Sequence, residues 1–371
     1  MKLFYIMKKI FLLTLVSIFS ISCSSDSSST NPIEEQMYFP PNDGSTTWET
    51  KTIADLGWNQ NAVQPLLTYL EQKNTKSFII LVNGRIVMEN YFNGHSATTP
   101  WYWASAGKSM TSFMAGIAQQ DGYLNINNKV SDYLGTGWTS LPIAKENLIT
   151  VKNQLTMTSG LDDGVADDDC TLPSCLLYKA DAGNRWSYHN AAYTLLHKVI
   201  GKAIPTSYNE DVNSYFNEKI KSKIGMNGSW ITGTGSPYNI VYWSNSRSMA
   251  RFGLWTLNKG KWNGQQILNE NYFDQATTTS QNINLSYGFL WWLNGKGSCM
   301  VPTLQTVFPI DLIPNAPDDM FCGLGKDDQK VYVIPSKKMV VIRMGNAADS
   351  SSPALTAFDN ELWTKINALY Q

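Results

Sequence analysis

Ser105 and Lys108 stand three residues apart in Trp103-Ala104-Ser105-Ala106-Gly107-Lys108. On a helix that spacing puts both side chains on one face. A lysine amine beside a serine hydroxyl accepts its proton when the amine is partly neutral, and burial favours that form. If Ser105 opens the helix, its backbone N–H is also free to bind an oxyanion. The chemistry would then be nucleophilic attack on a carbonyl. About one S-x-x-K arises by chance in a chain of this length. The spacing alone favours an ordinary surface pair on a helix.

The elements around the pair follow from periodicity. Residues 105–120 read as a helix, with Met110, Phe113, Met114 and Ile117 at helical spacing and Gly122 as a stop. Residues 61–71 read as a helix with Val63, Leu66, Leu67 and Leu70 on one face. Phe78 to Val82 and Arg85 to Tyr91 are β-rich runs around Asn83-Gly84, a strong hairpin signal. From about 125 to 280 helical signals dominate, including a clear helix from Asn190 that ends before Pro205. Strand signals return at 287–293, 331–334 and 339–344, and 353–370 reads as a closing helix. The pattern predicts an α+β fold: one sheet built from both ends of the chain, with a mostly helical region inserted between. No internal repeat is present.

Composition narrows the classes. The 371 residues allow one large domain or two smaller ones, against a prior of ~150 residues per domain. The net charge of −1 lacks the basic excess of a nucleic-acid binder. An apolar fraction of 43% with 16% charged residues argues against a disordered chain. No apolar run reaches the ~18–20 residues of a spanning helix. His95, His189 and His197 are the only histidines, and neither HExxH nor GxSxG occurs, so a zinc enzyme has few residues to use and no metal or other cofactor is expected. Thirteen tryptophans raise a carbohydrate-binding surface as a distant idea.

The N-terminus reads as an export address. Lys2, Lys8 and Lys9 precede an apolar run from Ile10 to Ile21, then Ser22-Cys23. The placement of Cys23 resembles a bacterial lipoprotein signal, with Ser20 where that motif usually has Leu. The resemblance implies lipidation at Cys23 and a protein anchored to, not spanning, a membrane of the bacterial cell envelope. Plain secretion is the alternative. Residues 24–37 then form a Ser-rich tether, and 38–371 the working domain. Cys170, Cys175, Cys299 and Cys322 remain. Outside the cytoplasm an even count suggests disulfides, and the two local pairs, Cys170–Cys175 and Cys299–Cys322, are the expected ones. No CxxC is present.

Ser105-Ala106-Gly107-Lys108-Ser109, the helix behind it, Asp121-Gly122-Tyr123-Leu124, Ile149-Thr150-Val151 and Leu155 to Leu161 together resemble the serine β-lactamase-like hydrolases. That superfamily includes class C β-lactamases, penicillin-binding peptidases, esterases and 6-aminohexanoate-dimer hydrolases. The similarity covers most of the chain from about Tyr38 and implies the β-lactamase/transpeptidase-like fold. Its second motif, Y-x-N, occurs at Tyr91, Tyr188 and Tyr215, but only Tyr188 lies after the nucleophile with a helix just behind it. The resemblance implies that Tyr188 is general base or proton shuttle and that Asn190 binds the carbonyl side of a substrate. A tyrosine near a lysine ammonium is expected to have its pKa lowered from ~10. Which of Lys108 and Tyr188 takes the proton stays open.

The third family element, K-T-G or H-x-G, falls at Gly323-Leu324-Gly325, so Gly323 replaces the cation. This favours the esterase and aminohexanoate branches over true β-lactamases. Strand alternation would turn the Lys326 side chain away, leaving its backbone N–H as the second oxyanion donor. The substrate implied is a small or peptide-like ester or amide. A β-lactamase or D-Ala carboxypeptidase is the enzymatic rival, and a non-catalytic binding or sensor lipoprotein the other. Asp162, Asp163, Asp167, Asp168 and Asp169 crowd one loop, which reads as a solvated turn before it reads as a site for a cationic group. Residues 300–319 read as a lid closed by Cys299–Cys322, or as a packed surface excursion. His189 reads as a scaffold residue.

Overall fold

Asn83 and Gly84 take φ of 50° and 83°, the left-handed pair that a two-residue hairpin needs. They join β1 (Thr75–Val82) to β2 (Arg85–Tyr91). A Cβ on Gly84 would lie 1.9 Å from the Tyr38 carbonyl oxygen, so glycine is required twice over. This and all that follows is read from a computed structural model that describes residues 35–233, 238–349 and 357–370. The chain divides into Met1–Gln36 and Met37–Gln371, and the second unit carries the fold. Cys23 and the apolar leader lie outside the described residues.

Nine further strands are β3 (Trp101–Tyr102), β4 (Ser229–Thr232), β5 (Ile240–Ser244), β6 (Lys261–Trp262), β7 (Gln265–Gln266), β8 (Trp292–Leu293), β9 (Phe321–Gly325), β10 (Gln329–Ile334) and β11 (Met339–Gly345). The main sheet has the order β2-β1-β11-β10-β9-β8 and is antiparallel throughout. It is thus an α+β fold whose sheet joins both ends of the described chain. Ile79 lies opposite Ile342 and Leu81 opposite Val340.

Helices of ten residues or more are α1 (Val63–Gln72), α2 (Lys108–Gln120), α3 (Asn190–Ala203), α4 (Ser246–Leu257) and α5 (Ala357–Asn367). The sheet is covered on both faces. A Cβ on Gly253 of α4 would lie 2.5 Å from Val340 and 3.3 Å from Val331. Tyr332, next to Val331 and so on the opposite face, packs edge-on against Trp363 of α5. Tyr69 of α1 stacks on Phe358 of α5. Every residue of β11 is buried, which is why it reads as a continuous apolar run without alternation. No helix among the described residues is long and apolar enough to cross a membrane.

The structure extends one sequence expectation and corrects two. The middle region is mostly helical, as expected, and it also contributes β4 and β5, which with β3 form a second sheet of order β3-β5-β4, and the β6–β7 ribbon. Strands of two to five residues are too short for a period of two to register. Residues 287–293 are not one strand. Leu290 takes φ of 58°, and the Trp291 carbonyl accepts from the Gly288 N–H, so the run turns back on itself, Tyr287 bridging to Trp292, and only β8 joins the main sheet. Cys170 and Cys175 are disulfide-bonded, but Cys299 and Cys322 are free buried thiols. Cys299 pairs through its backbone with Phe308, in a neighbourhood shared with Asp311, whereas Cys322 lies in β9 near Asp359 and Lys330. Each thiol has a separate environment.

Candidate active site

Trp103 sets the turn that carries Ser105. It is fully buried, its indole N–H donates to Ser244 Oγ at 2.8 Å, and its backbone N–H donates to the Tyr242 carbonyl. Ala104 follows with φ of 47°, a left-handed conformation that costs a residue with a Cβ of order 1 kcal/mol. The chain then enters a 3₁₀ turn, Ala104–Gly107, that runs directly into α2. Ser105 therefore sits half-buried among the amides that a helix start leaves without internal partners.

Lys108 Nζ lies 2.8 Å from Ser105 Oγ and 2.9 Å from Asn190 Oδ1. The Tyr193 and Tyr188 rings flank it, with centroids 4.4 and 4.9 Å away. The residue is only 4% exposed. Burial drives the amine down to about 7, while Asp169 and Asp168 pull more weakly the other way. A lysine in this setting exchanges its proton near neutral pH, which is what a base for Ser105 requires.

Ser105 lies near enough to the Tyr188 hydroxyl to favour its charged form. Its ring stacks on Trp292 of β8 at 5.9 Å and meets Tyr287 edge-on. Burial raises its phenol, with Ser105 opposing. The expected lowering by a lysine ammonium is therefore corrected: desolvation dominates at both groups, keeping the phenol protonated and leaving the amine poised between its charged and neutral forms near neutral pH. Asn190 opens α3 and joins two neighbours, accepting from Lys108 and donating to Asp168 at 3.0 Å. His189 is the N-cap of α3, its Nδ1 accepting from the Ala192 N–H, in the scaffold role expected of it. The other Y-x-N tyrosines lie elsewhere, Tyr91 on Glu89 and Tyr215 on Asp121.

β9 runs against the turn that carries Ser105. A Cβ on Gly325 would lie 2.5 Å from the Trp103 oxygen, and one on Gly323 would lie 3.1 Å from the Ala106 oxygen. Gly325 is thus demanded by close backbone approach, while at Gly323 the tightest contact would be the Val331 side chain at 2.9 Å. The strand ends at Gly325 and Lys326 begins a 3₁₀ turn, so the alternation argument for Lys326 does not apply. Its exposed side chain belongs to a residue lining the same cleft as Ser105.

That cleft has a volume of about 500 Å³ and includes Ser105, Lys108, Asn190, Lys326, Asp168 and Asp169 in its walls. The acidic loop is therefore split. Asp162 and Asp163 pair with Lys179 and Arg185, while Asp168 and Asp169 reach the cleft. The carboxylate oxygens of Asp167, Asp168 and Asp169 lie within 4.8 Å of one another. Burial raises the Asp169 carboxyl, with Asp168 adding and Lys108 opposing. No residue of 300–319 lines the cleft. That segment is tied to the Trp186 carbonyl by Gln305 and to Asn294 by three carbonyls, a packed excursion and not a lid.

Sequence reasoning missed Tyr193, Trp292 and the link from Asn190 to Asp168. Tyr193 was within reach, since it follows Asn190 by three residues on the same helix face. Trp292 and Asp168 reach the site only through the tertiary fold.

Comparison with known proteins agrees with this architecture. The profile of the Beta-lactamase family matches residues 69–362. An uncharacterized protein of Alkalihalophilus pseudofirmus is 24% identical over 307 residues, covering 74% of this chain and 84% of the relative. A Bacillus anthracis protein provisionally named a 6-aminohexanoate-dimer hydrolase superposes with a TM-score of 0.65 at 20% identity, covering 90% of this chain and 89% of its own. A β-lactamase/D-alanine carboxypeptidase of Pseudomonas syringae gives 0.58 at 14% identity, covering 83% and 97%. At such identities these structures speak to the fold.

Proposed function

The chain belongs to the beta-lactamase family, and on that footing we propose that it is an exported serine hydrolase cleaving an ester or amide through an acyl-enzyme on Ser105. The observation that carries this is the Lys108 amine, held 2.8 Å from Ser105 Oγ and depressed to about 7 by burial. The neutral amine accepts the Ser105 proton as Oγ attacks the carbonyl carbon. The backbone amides of Ser105 and Lys326 receive the developing oxyanion. The neutral Tyr188 hydroxyl donates a proton to the leaving group and regains one from the Lys108 ammonium. A water then attacks the acyl carbon, its proton passing to the same pair, and releases a carboxylic acid with Ser105 restored.

Labelling with a fluorophosphonate tests the nucleophile. The expected result is one label per chain, lost in Ser105→Ala; a label that persists in that variant overturns the reading. Lipidation at Cys23, with anchoring in the bacterial envelope, belongs to the same proposal. It predicts fatty-acid incorporation that disappears in Cys23→Ser, and incorporation unaffected by that change refutes it.

One observation favours a second reading. Lys326 brings an exposed cation to the cleft although Gly323 has none. A cation there suits a substrate carboxylate, as in β-lactamase or D-Ala carboxypeptidase action. Ser105-dependent turnover of a chromogenic cephalosporin, weakened by Lys326→Ala, would establish it; no turnover leaves the ester or amide reading.

A further inference from the structure

Asp168 touches α3 at two atoms. Its backbone carbonyl accepts from the Ala191 N–H at 2.9 Å, and its carboxylate accepts from Asn190 Nδ2 at 3.0 Å. The first contact satisfies one of the amides that a helix start leaves without an internal partner. It also sets where the carboxylate sits. The loop is pinned on both sides of this residue. Asp167 Oδ1 accepts from the Asp169 N–H at 3.2 Å, and the Cys170–Cys175 bridge follows. Asp162 and Asp163, earlier in the loop, pair with Lys179 and Arg185. The Asp168 carboxylate is turned to the Asn190 amide instead.

Asn190 is thereby held between two partners that ask opposite things of it. An amide has an acceptor at one end and donors at the other, and a carboxylate only accepts. Nδ2 must therefore face Asp168, which leaves Oδ1 facing Lys108, 2.9 Å from Nζ. That orientation decides what the amine does. While charged it only donates, and Oδ1 suits it. Once neutral it has a single lone pair, and two groups could claim it: the Ser105 hydroxyl at 2.8 Å, or a turned Asn190 amide presenting its N–H groups. A turned amide would occupy the lone pair and leave Ser105 without a base. It would also set Oδ1 against the Asp168 carboxylate, acceptor against acceptor, and this opposes the turn. The Tyr188 and Tyr193 rings and the Asp169 carboxylate also face the amine, but among the described residues none of them hydrogen-bonds Asn190.

We propose that Asp168 is a positioning residue: by holding the Asn190 amide in one orientation, it keeps the lone pair of neutral Lys108 aimed at Ser105. The inference rests on the reading of Ser105 as nucleophile and adds a residue to that reaction.

The test follows the rate of fluorophosphonate labelling at Ser105 across pH in the full protein. Asp168→Asn keeps the size of an exposed side chain, but its own amide can accept from Asn190 or donate to it, so both orientations are allowed. Its high-pH plateau is expected about threefold to tenfold below wild type, the scale of one hydrogen bond. Its acid limb is expected to move to lower pH, because Asp168 favours the charged amine. A purely electrostatic role would move the limb and leave the plateau in place. A loosened loop would lower the plateau in any background. Asn190→Ala separates the second case: in a protein without that amide, adding Asp168→Asn is expected to change the plateau by less than about twofold. An unchanged plateau in Asp168→Asn, or the same loss with and without Asn190, overturns the proposal. Wild-type protein with no Ser105-dependent label overturns the hydrolase reading and this inference together, so the two failures are told apart.

Discussion

Lys108 is offered two oxygens, Ser105 Oγ and Asn190 Oδ1, and two aromatic faces, in a setting from which water is nearly excluded. A neutral amine keeps two hydrogens and gains a lone pair, so losing a proton lets it accept from Ser105 while still donating to Asn190. The sign of the pH dependence follows. Below about 7 the amine is charged and cannot act as base, so the rate of Ser105 acylation should fall as pH drops through that value and level off above it. Lys108→Arg, whose guanidinium stays charged, should lose ~10²–10⁴ in rate and show no such step. Stopped-flow acylation across pH 5.5–9, a window spanning ~1.5 units or more on each side of the shifted amine, checks both statements. The Ser105–Lys108 pair was legible because its two members share one helical turn. The charge state of Tyr188 was not, since it depends on burial by Trp292 and Tyr287, which reach it through tertiary structure.

The loop that carries Asp168 and Asp169 is the element that most shapes the cleft. The Cys170–Cys175 disulfide fixes it immediately after the acids, and Asp168 is bonded to Asn190. Replacing both cysteines by serine should cost about 2 kcal/mol, the amount expected from freeing so short a loop, visible as a lower denaturant midpoint. Thiol labelling of the denatured, unreduced protein should find Cys299 and Cys322 reactive and Cys170 and Cys175 protected. A reagent that modifies Cys170 without reduction would contradict the bridge. Elements with strong local signals, such as the Asn83-Gly84 hairpin and α2, were readable from sequence. That Cys299 and Cys322 stay unlinked was not, because proximity along a chain does not set the direction of a side chain. The short strands β4 and β5 escaped for want of length.

Across the whole molecule, α5 is locked to the sheet by a buried cluster. Lys330 of β10 is 2.8 Å from Asp359 of α5, both essentially without solvent, and the Tyr332 hydroxyl donates to the same carboxylate. Asp359→Ala would take from a buried ammonium its shortest carboxylate contact and should cost about 3–5 kcal/mol, measurable by equilibrium unfolding; a change under ~1 kcal/mol would mean that Asp328 and the remaining contacts suffice to hold Lys330. That both chain ends contribute to one sheet was visible from the positions of the strand signals. Their order was not, because β1 pairs with β11 across almost the full sequence. This pairing also constrains synthesis. A ribosome making the polypeptide displays β1 long before residue 339 is polymerised, so the middle of the sheet is missing a neighbour throughout translation. The nascent protein must wait, its apolar hairpin uncovered, until residues 339–345 have been added.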